Sequence, residues 1–239
     1  MITSKLILLD IKKIHLNWFI YFSIILSVIP AYGIAYAIKN LHGPFSIYHI
    51  TSFYSLFGTI LCVIISMRLF TDDLYNEVHT LLYSNKDNRK KYLISKVIGS
   101  IYIGILFGIT CVFVIFTSVE YLNINVNNSI YIKSIINYVM FSSFYSILFF
   151  FISTFYRKVT FLFVIAILSI SFLPNLISTI LDSNLFSDKI NNVIENLPFY
   201  FLPLMIGSHN FSNTQYILTL LSILLVFYLA IKSLLRQDY

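Results

Sequence analysis

The sequence predicts an all-α polytopic membrane protein: six transmembrane helices, an N-terminal interfacial helix, and one organised polar interruption between the second and third spans. Three observations predict it. Of 239 residues, 58% are hydrophobic and only 11% charged, whereas a soluble domain carries about 25% charge. Apolar runs of about 20 residues, enough to cross a ~30 Å hydrocarbon core, recur along the whole chain. The basic residues stand at the ends of these runs and do not form one polar face. The net charge of +6 therefore speaks for orientation and lipid headgroups and against nucleic acid.

The elements follow in order. In residues 1–16, Ile7, Ile11 and Ile14 recur at helical spacing while Lys5, Lys12 and Lys13 point broadly the other way. Leu6, Leu9 and Leu16 blur the polar face, so the helix is moderately amphipathic and suited to the membrane surface. Trp18 stands where an aromatic anchor at the headgroups belongs. The first span is Trp18–Ile38. It ends in Ala35-Tyr36-Ala37, which resembles a signal-peptidase site, but its apolar run exceeds the roughly 7–15 residues of a cleaved signal. Removing it would also leave five spans and spoil the charge register described below, so it is expected to stay.

The further spans fall at Ile50–Leu69, Val97–Val119, Ile135–Phe155, Thr160–Leu181 and Tyr216–Ile231. Gly99, Gly104 and Gly108 lie in the third, and Gly104 to Gly108 is a G-x-x-x-G. Such glycines let helix backbones approach closely, and packing within the chain is favoured here over a dimer seam. Pro174 is expected to kink the fifth span and free a carbonyl. The connection 182–213 carries Pro198, Pro203 and Gly207 around the apolar run Phe199–Ile206. That pattern suits a re-entrant or interfacial segment better than a seventh span.

Charge sets the topology. One side of this arrangement collects Lys5, Lys12, Lys13, Arg68, Lys86, Arg89, Lys90, Lys91, Lys96, Arg157, Lys158, Lys232 and Arg236; the other receives Lys39, Lys133 and Lys189. Thirteen against three is a positive-inside signal that places both termini in the cytoplasm and the protein in the plasma membrane. Asp, Glu, Lys, Arg and His sit only in connections or at span ends. Ion-coupled carriers keep such groups inside the membrane, so energy is expected to come from elsewhere. Cys62 and Cys111 lie mid-span and read as packing residues, with neither disulfide nor metal-ligand spacing.

The chemistry of known sites is missing. There is no G-x-x-x-x-G-K-[ST], H-E-x-x-H, C-x-x-C or G-x-S-x-G, and His15, His42, His49, His79 and His209 are scattered without paired spacing. Neither enzyme activity nor a metal is expected of this chain. Asp72 and Asp73 point about 100° apart on a helix and form no dyad. They read as helix N-terminal charges, with Thr71 as a cap.

The stretch from Arg68 to Lys96 is the one long polar interruption. Leu74, Val78, Leu81 and Leu82 share one helical face, and Asp73, Glu77 and Thr80 share another. A turn is expected over Ser84–Asn88, followed by a basic re-entry from Arg89 into the third span. Periodicity alone fits a plain interfacial loop as well as a partner-docking helix.

At Glu77-Val78-His79-Thr80-Leu81-Leu82-Tyr83-Ser84, with Arg89 and Lys96 at similar spacing beyond, the chain resembles permease subunits of type-2 ABC exporters. Those have six spans, an elbow helix and a cytoplasmic loop patterned Glu, Gly-Thr, apolar residues, a Pro turn, a basic residue, then Lys. The chain departs at His79, where Gly is usual, and at Asn85, where Pro is often seen. The resemblance implies residues 1–16 as the elbow and 71–95 as the cytoplasmic coupling segment. Leu81, Leu82 and Tyr83 would fill an apolar slot on a separate ATPase subunit, with Glu77 and Arg89 setting register and Thr80 among the coupling residues. It further implies a second permease copy or a related chain, ATP and Mg held by the ATPase partner with no cofactor here, and a hydrophobic or amphipathic cargo. Permeases of this length resemble those serving bacitracin resistance, lantibiotic self-protection and peptide export. An ion-independent channel or secondary transporter, and a non-transporting scaffold or sensor, are the alternatives.

Overall fold

The computed structural model describes residues 2–76, 86–183 and 186–236. Among them every regular element is helical. In chain order these are α1 (Ile2–Leu16), α2 (Trp18–Asn40), α3 (Ile47–Tyr75), α4 (Lys86–Leu122), α5 (Ser129–Ser153), α6 (Val159–Ile167), a π-helical turn (Leu168–Phe172), α7 (Leu173–Asp182), α8 (Asp188–Glu195), α9 (Pro198–Met205) and α10 (Asn213–Arg236). Counting Val159–Asp182 as one, six helices are long and apolar enough to cross a membrane. All-helical construction is what such a composition demands, because a lipid-facing backbone must satisfy its hydrogen bonds within its own segment.

Each expected span lies inside one of these helices to within a few residues, but two helices run far past their apolar runs. α3 continues through Tyr75, and α4 begins at Lys86. The turn expected over Ser84–Asn88 is therefore helical from Lys86 onward. At 1.5 Å per residue α4 is about 55 Å long, well beyond a ~30 Å core. Asp72 and Asp73 consequently stand in the last turn of α3, not at a helix start, and Thr71 is a buried residue inside the helix, not a cap.

The helices alternate in direction, and contacts at the two ends show it. At one end Lys13 of α1 meets Asp73 at the close of α3, and Thr154, just after α5, meets Ser233 near the close of α10. At the other end Lys39, closing α2, donates to the carbonyl of Tyr121, closing α4. The thirteen basic residues separated by charge counting thus belong to one end of the bundle.

α3, α4 and α5 form the interior, with 61, 50 and 67% of their most apolar stretches buried, against 28, 22 and 17% for α2, Val159–Asp182 and α10. Glycine spacing explains the tightest contact. A Cβ at Gly104 would strike Ser142 and lie 2.8 Å from both the Tyr138 carbonyl and the Val139 Cα of α5. One at Gly108 would lie 2.7 Å from the Cα of Ile135. α2 comes in along a stripe of small buried residues, Ser23, Ser27, Ala31 and Ala35, each four positions from the last.

Pro174 takes the first turn of α7, where its missing N–H costs least. Its ring would clash with the carbonyl four residues back, at Ile170. That residue lies in the π-helical turn, so the extra residue per turn is where the backbone absorbs the proline. The connection expected to be re-entrant or interfacial holds α8 and α9. Phe201 and Leu202 of α9, and Ile206 after it, are wholly buried.

His209 follows α9 with φ 56°, a left-handed conformation that His tolerates better than most residues. It is buried, its Nε2 stands 3.4 Å from Ser134 Oγ, and its Nδ1 finds no hydrogen-bond partner among the described residues. Burial, and then the charge of Lys133, push its pKa down to about 4 from 6.5. The unfolded chain then binds the proton first, so stability falls as pH drops from 6.5 towards 4 and levels off below. A loss of about 2 kcal/mol between pH 7 and pH 5 is expected. Thermal unfolding at the two pH values should show it in the native protein and not in His209→Asn, which suits the same backbone conformation.

Candidate functional site

Three buried charged side chains, Asp10, Asp73 and Lys96, meet where α1, α3 and α4 join, and a fourth, Arg89, is buried two turns away against the end of α10. On α4, Arg89, Tyr92, Lys96 and Gly99 fall at three- and four-residue steps and so share one face. On α1 the buried positions are Asp10 and Ile14, four residues apart. Gly99 leaves room for the Leu69 side chain beside Asp10. A Cβ there would lie 2.7 Å from Leu69 Cδ1 of α3 and 3.9 Å from Asp10 Cβ of α1.

Lys96 is the centre. Its Nζ lies 2.8 Å from Asp10 Oδ1 and 2.7 Å from Asp73 Oδ2. Ser95 Oγ donates to the second oxygen of Asp10 at 2.6 Å, and the Tyr92 hydroxyl donates to Asp73 Oδ2 at 3.1 Å. Lys13 Nζ donates to Asp73 Oδ1 at 3.0 Å from the partly exposed rim. Two ammonium groups thus balance two carboxylates, and all four carboxylate oxygens accept a bond. Burial pulls the Lys13 ammonium down, but the hydrogen bond to Asp73 and the charges of Asp73, Asp10 and Asp72 outweigh it and hold its pKa above 10.5.

Asp73 stands at the C-terminal end of a helix, where the macrodipole disfavours a carboxylate. Only its two lysines and the tyrosine make that position tenable. Asp72, one residue away, turns outward to Arg68 at 3.9 Å. Beneath the junction, Phe150 of α5 packs edge-on against Phe70 of α3 at 5.5 Å and tilts against Tyr92 of α4 at 6.1 Å. One turn before Tyr92, Arg89 Nη1 donates to the carbonyl of Leu234 near the end of α10 at 3.1 Å. The resemblance assigns Arg89 to a partner surface; in this chain its side chain is turned inward, tying α4 to α10.

The junction brackets residues 77–85. Asp73 precedes that segment on α3, and Arg89, Tyr92 and Lys96 follow it on α4. Glu77, Thr80, Leu81, Leu82 and Tyr83 lie outside the described residues. Trp18 opens α2 largely exposed, tilted against Phe22 at 5.9 Å. Asp10, Lys13, Asp73, Tyr92 and Ser95 were not among the sequence-derived site residues. For Asp10 the available signal is an acid four residues before Ile14 on the first helix; nothing in the sequence singles out Tyr92 or Ser95.

A second concave feature lies near the opposite end, about 27 Å along α3 from Asp73. Ser52, Ser55 and Thr59 of α3, Ser171 of the π-helical turn, Asn175 of α7 and Leu204 of α9 line a cavity of 420 Å³. Its lining is uncharged hydroxyl, amide and aliphatic, which suits an uncharged amphipathic group. Among the described residues no cluster of three His, Cys, Asp or Glu side chains is placed to hold a metal. No protein-family model and no curated protein matches the chain.

Proposed function

We propose that this chain is the permease subunit of an ATP-driven type-2 ABC exporter, moving a hydrophobic or amphipathic cargo such as a peptide, lantibiotic or antibiotic. The observation that carries the reading is the buried ionic junction at both roots of segment 77–85. A push delivered to that segment enters α3 and α4 together, because Lys96 is bonded to Asp73 as well as to Asp10 of α1. The charge-dense junction resists bending, since parting any pair exposes a buried charge. The push then travels along two continuous helices of the bundle interior, towards the cavity between α3, the π-helical turn and α9. In this role α1 is the elbow helix on the cytoplasmic surface, residues 71–95 are the coupling segment, and both termini are cytoplasmic in the plasma membrane. The sparsely buried outer faces of α2, Val159–Asp182 and α10 are left for lipid and for a second permease chain.

The test is co-purification with an ATPase subunit encoded beside this chain. The native protein is expected to hold it through affinity purification and size exclusion. The double variant Glu77→Lys with Leu81→Asp is expected to lose it by at least about tenfold, as a reversed charge and a buried acid together oppose docking. Equal recovery of the complex with equal ATP turnover would remove the coupling assignment.

A further inference from the structure

At the same end of the bundle, α5 and α10 diverge around a cleft of 420 Å³ lined by Phe151, Thr154, Phe155, Leu229, Lys232, Ser233 and Arg236. Thr154 Oγ1 and Ser233 Oγ, 2.7 Å apart, bridge the two helices at its floor and hold the gap at a set width. None of the lining residues is acidic, and among the described residues neither Lys232 nor Arg236 joins an ion pair. Two cations four residues apart on one helix face therefore sit over an apolar wall without a counter-charge among the described residues.

The same face of α10 continues into the membrane-grade part of the helix. Leu221, Leu225, Leu229, Lys232 and Arg236 follow at steps of four, four, three and four residues, which keeps them within about 80° of one another around the axis. Leu221 and Leu225 are exposed. From Leu229 to Arg236 the rise is about 10 Å, the scale of a headgroup layer, and from Leu221 to Leu229 about 12 Å, most of one leaflet.

We propose that this cleft binds one anionic glycerophospholipid, its phosphate on Lys232 and Arg236 and an acyl chain along Leu229, Leu225 and Leu221. A soluble phosphate would use the two cations and leave the leucine rail idle, whereas a phospholipid uses both at the depth each requires. Basic clefts between membrane helices at this depth are where anionic headgroups bind. The inference needs only that the helices cross a membrane and is independent of any ATPase partner.

Native mass spectrometry of the full chain, delipidated in detergent and then offered palmitoyl-oleoyl phosphatidylglycerol or the matching phosphatidylcholine, tests it. The expected result is a one-lipid adduct with phosphatidylglycerol that outlasts the phosphatidylcholine adduct. Lys232→Gln with Arg236→Gln is expected to weaken it about thirtyfold, two interfacial cations contributing ~1 kcal/mol each. Lys5→Gln with Lys12→Gln removes the same charge from the same end and is expected to leave it unchanged. Leu225→Asn with Leu229→Asn should also weaken it. Equal loss in the Lys5/Lys12 control, displacement by millimolar glycerol 3-phosphate, or indifference to the leucine changes would each overturn the proposal. So would undiminished lipid retention in the Lys232/Arg236 variant, including the case in which that variant instead loses a protein partner.

Discussion

Replacing Lys96 by Met is expected to destabilise the protein by about 3–5 kcal/mol, because it strands two buried carboxylates that share one ammonium. Asp10 would keep only the Ser95 hydroxyl, and Asp73 only Tyr92 and the rim lysine Lys13. The readout is the thermal midpoint of the purified chain in detergent. A midpoint equal to that of the native protein would contradict the burial described for the junction. The companion variant adds Asp10→Asn and Asp73→Asn to Lys96→Met. It is expected to recover most of the loss, since removing a whole buried ion network costs far less than breaking it. That triple variant also separates stability from function. In the proposed complex it should still assemble, while ATP turnover falls back to that of the ATPase subunits alone. Retained coupling would show that the junction is a structural clasp without a transmitting role.

Gly104→Val should be the most damaging single change in the bundle interior, at about 3 kcal/mol or more. Two of the atoms a Cβ would meet belong to the backbone of α5, the Tyr138 carbonyl and the Val139 Cα at 2.8 Å. No rotamer change relieves such a contact, so α4 and α5 must move apart and loosen the interior. Gly33 in α2 supplies the contrast, for a Cβ there meets nothing within 4 Å. Gly33→Ala is expected to be neutral or to stabilise by up to about 1 kcal/mol through helix propensity. Thermal unfolding of the two variants side by side should give opposite signs. A tolerated Gly104→Val would mean that α4 and α5 are not in backbone contact.

Much of the spans and little of the site were legible in the sequence. The hydrophobic runs placed Trp18–Asn40 and Val159–Asp182 to within two residues, and began Ser129–Ser153 six residues late. They stopped short on α3 and α4, whose last and first turns are polar yet helical. There Asp72 and Asp73 suit the start of a new helix and Lys86–Asn88 suit a turn, since a charge at a membrane boundary and a charge in a helix clasp look alike in a one-dimensional pattern. Asp73 shows the difficulty. Beside Asp72 and after Thr71 it matched a helix start, and only Lys13 and Lys96, sixty and twenty-three residues away, make its true place at a helix end favourable. Asp10 was hidden by its neighbours. Ile7, Ile11 and Ile14 define an apolar face by spacing, whereas the buried face is centred on Asp10 and Ile14, with Leu8, Leu9 and Leu16 left exposed.

By itself the sequence determined how many helices are long and apolar enough to cross a membrane and which ends lie together. Lipid imposes those features on any chain, through the cost of unsatisfied backbone and the preference of cations for one side. Only the tertiary structure decided which helices form the interior, which glycines touch backbone, and which charges pair. In a membrane both the buried and the lipid-facing sides of a helix are apolar, so the periodicity that marks a core face in water is nearly erased. The partners of Lys96 lie eighty-six and twenty-three residues away, and only the packing of α1 and α3 against α4 brings them within reach.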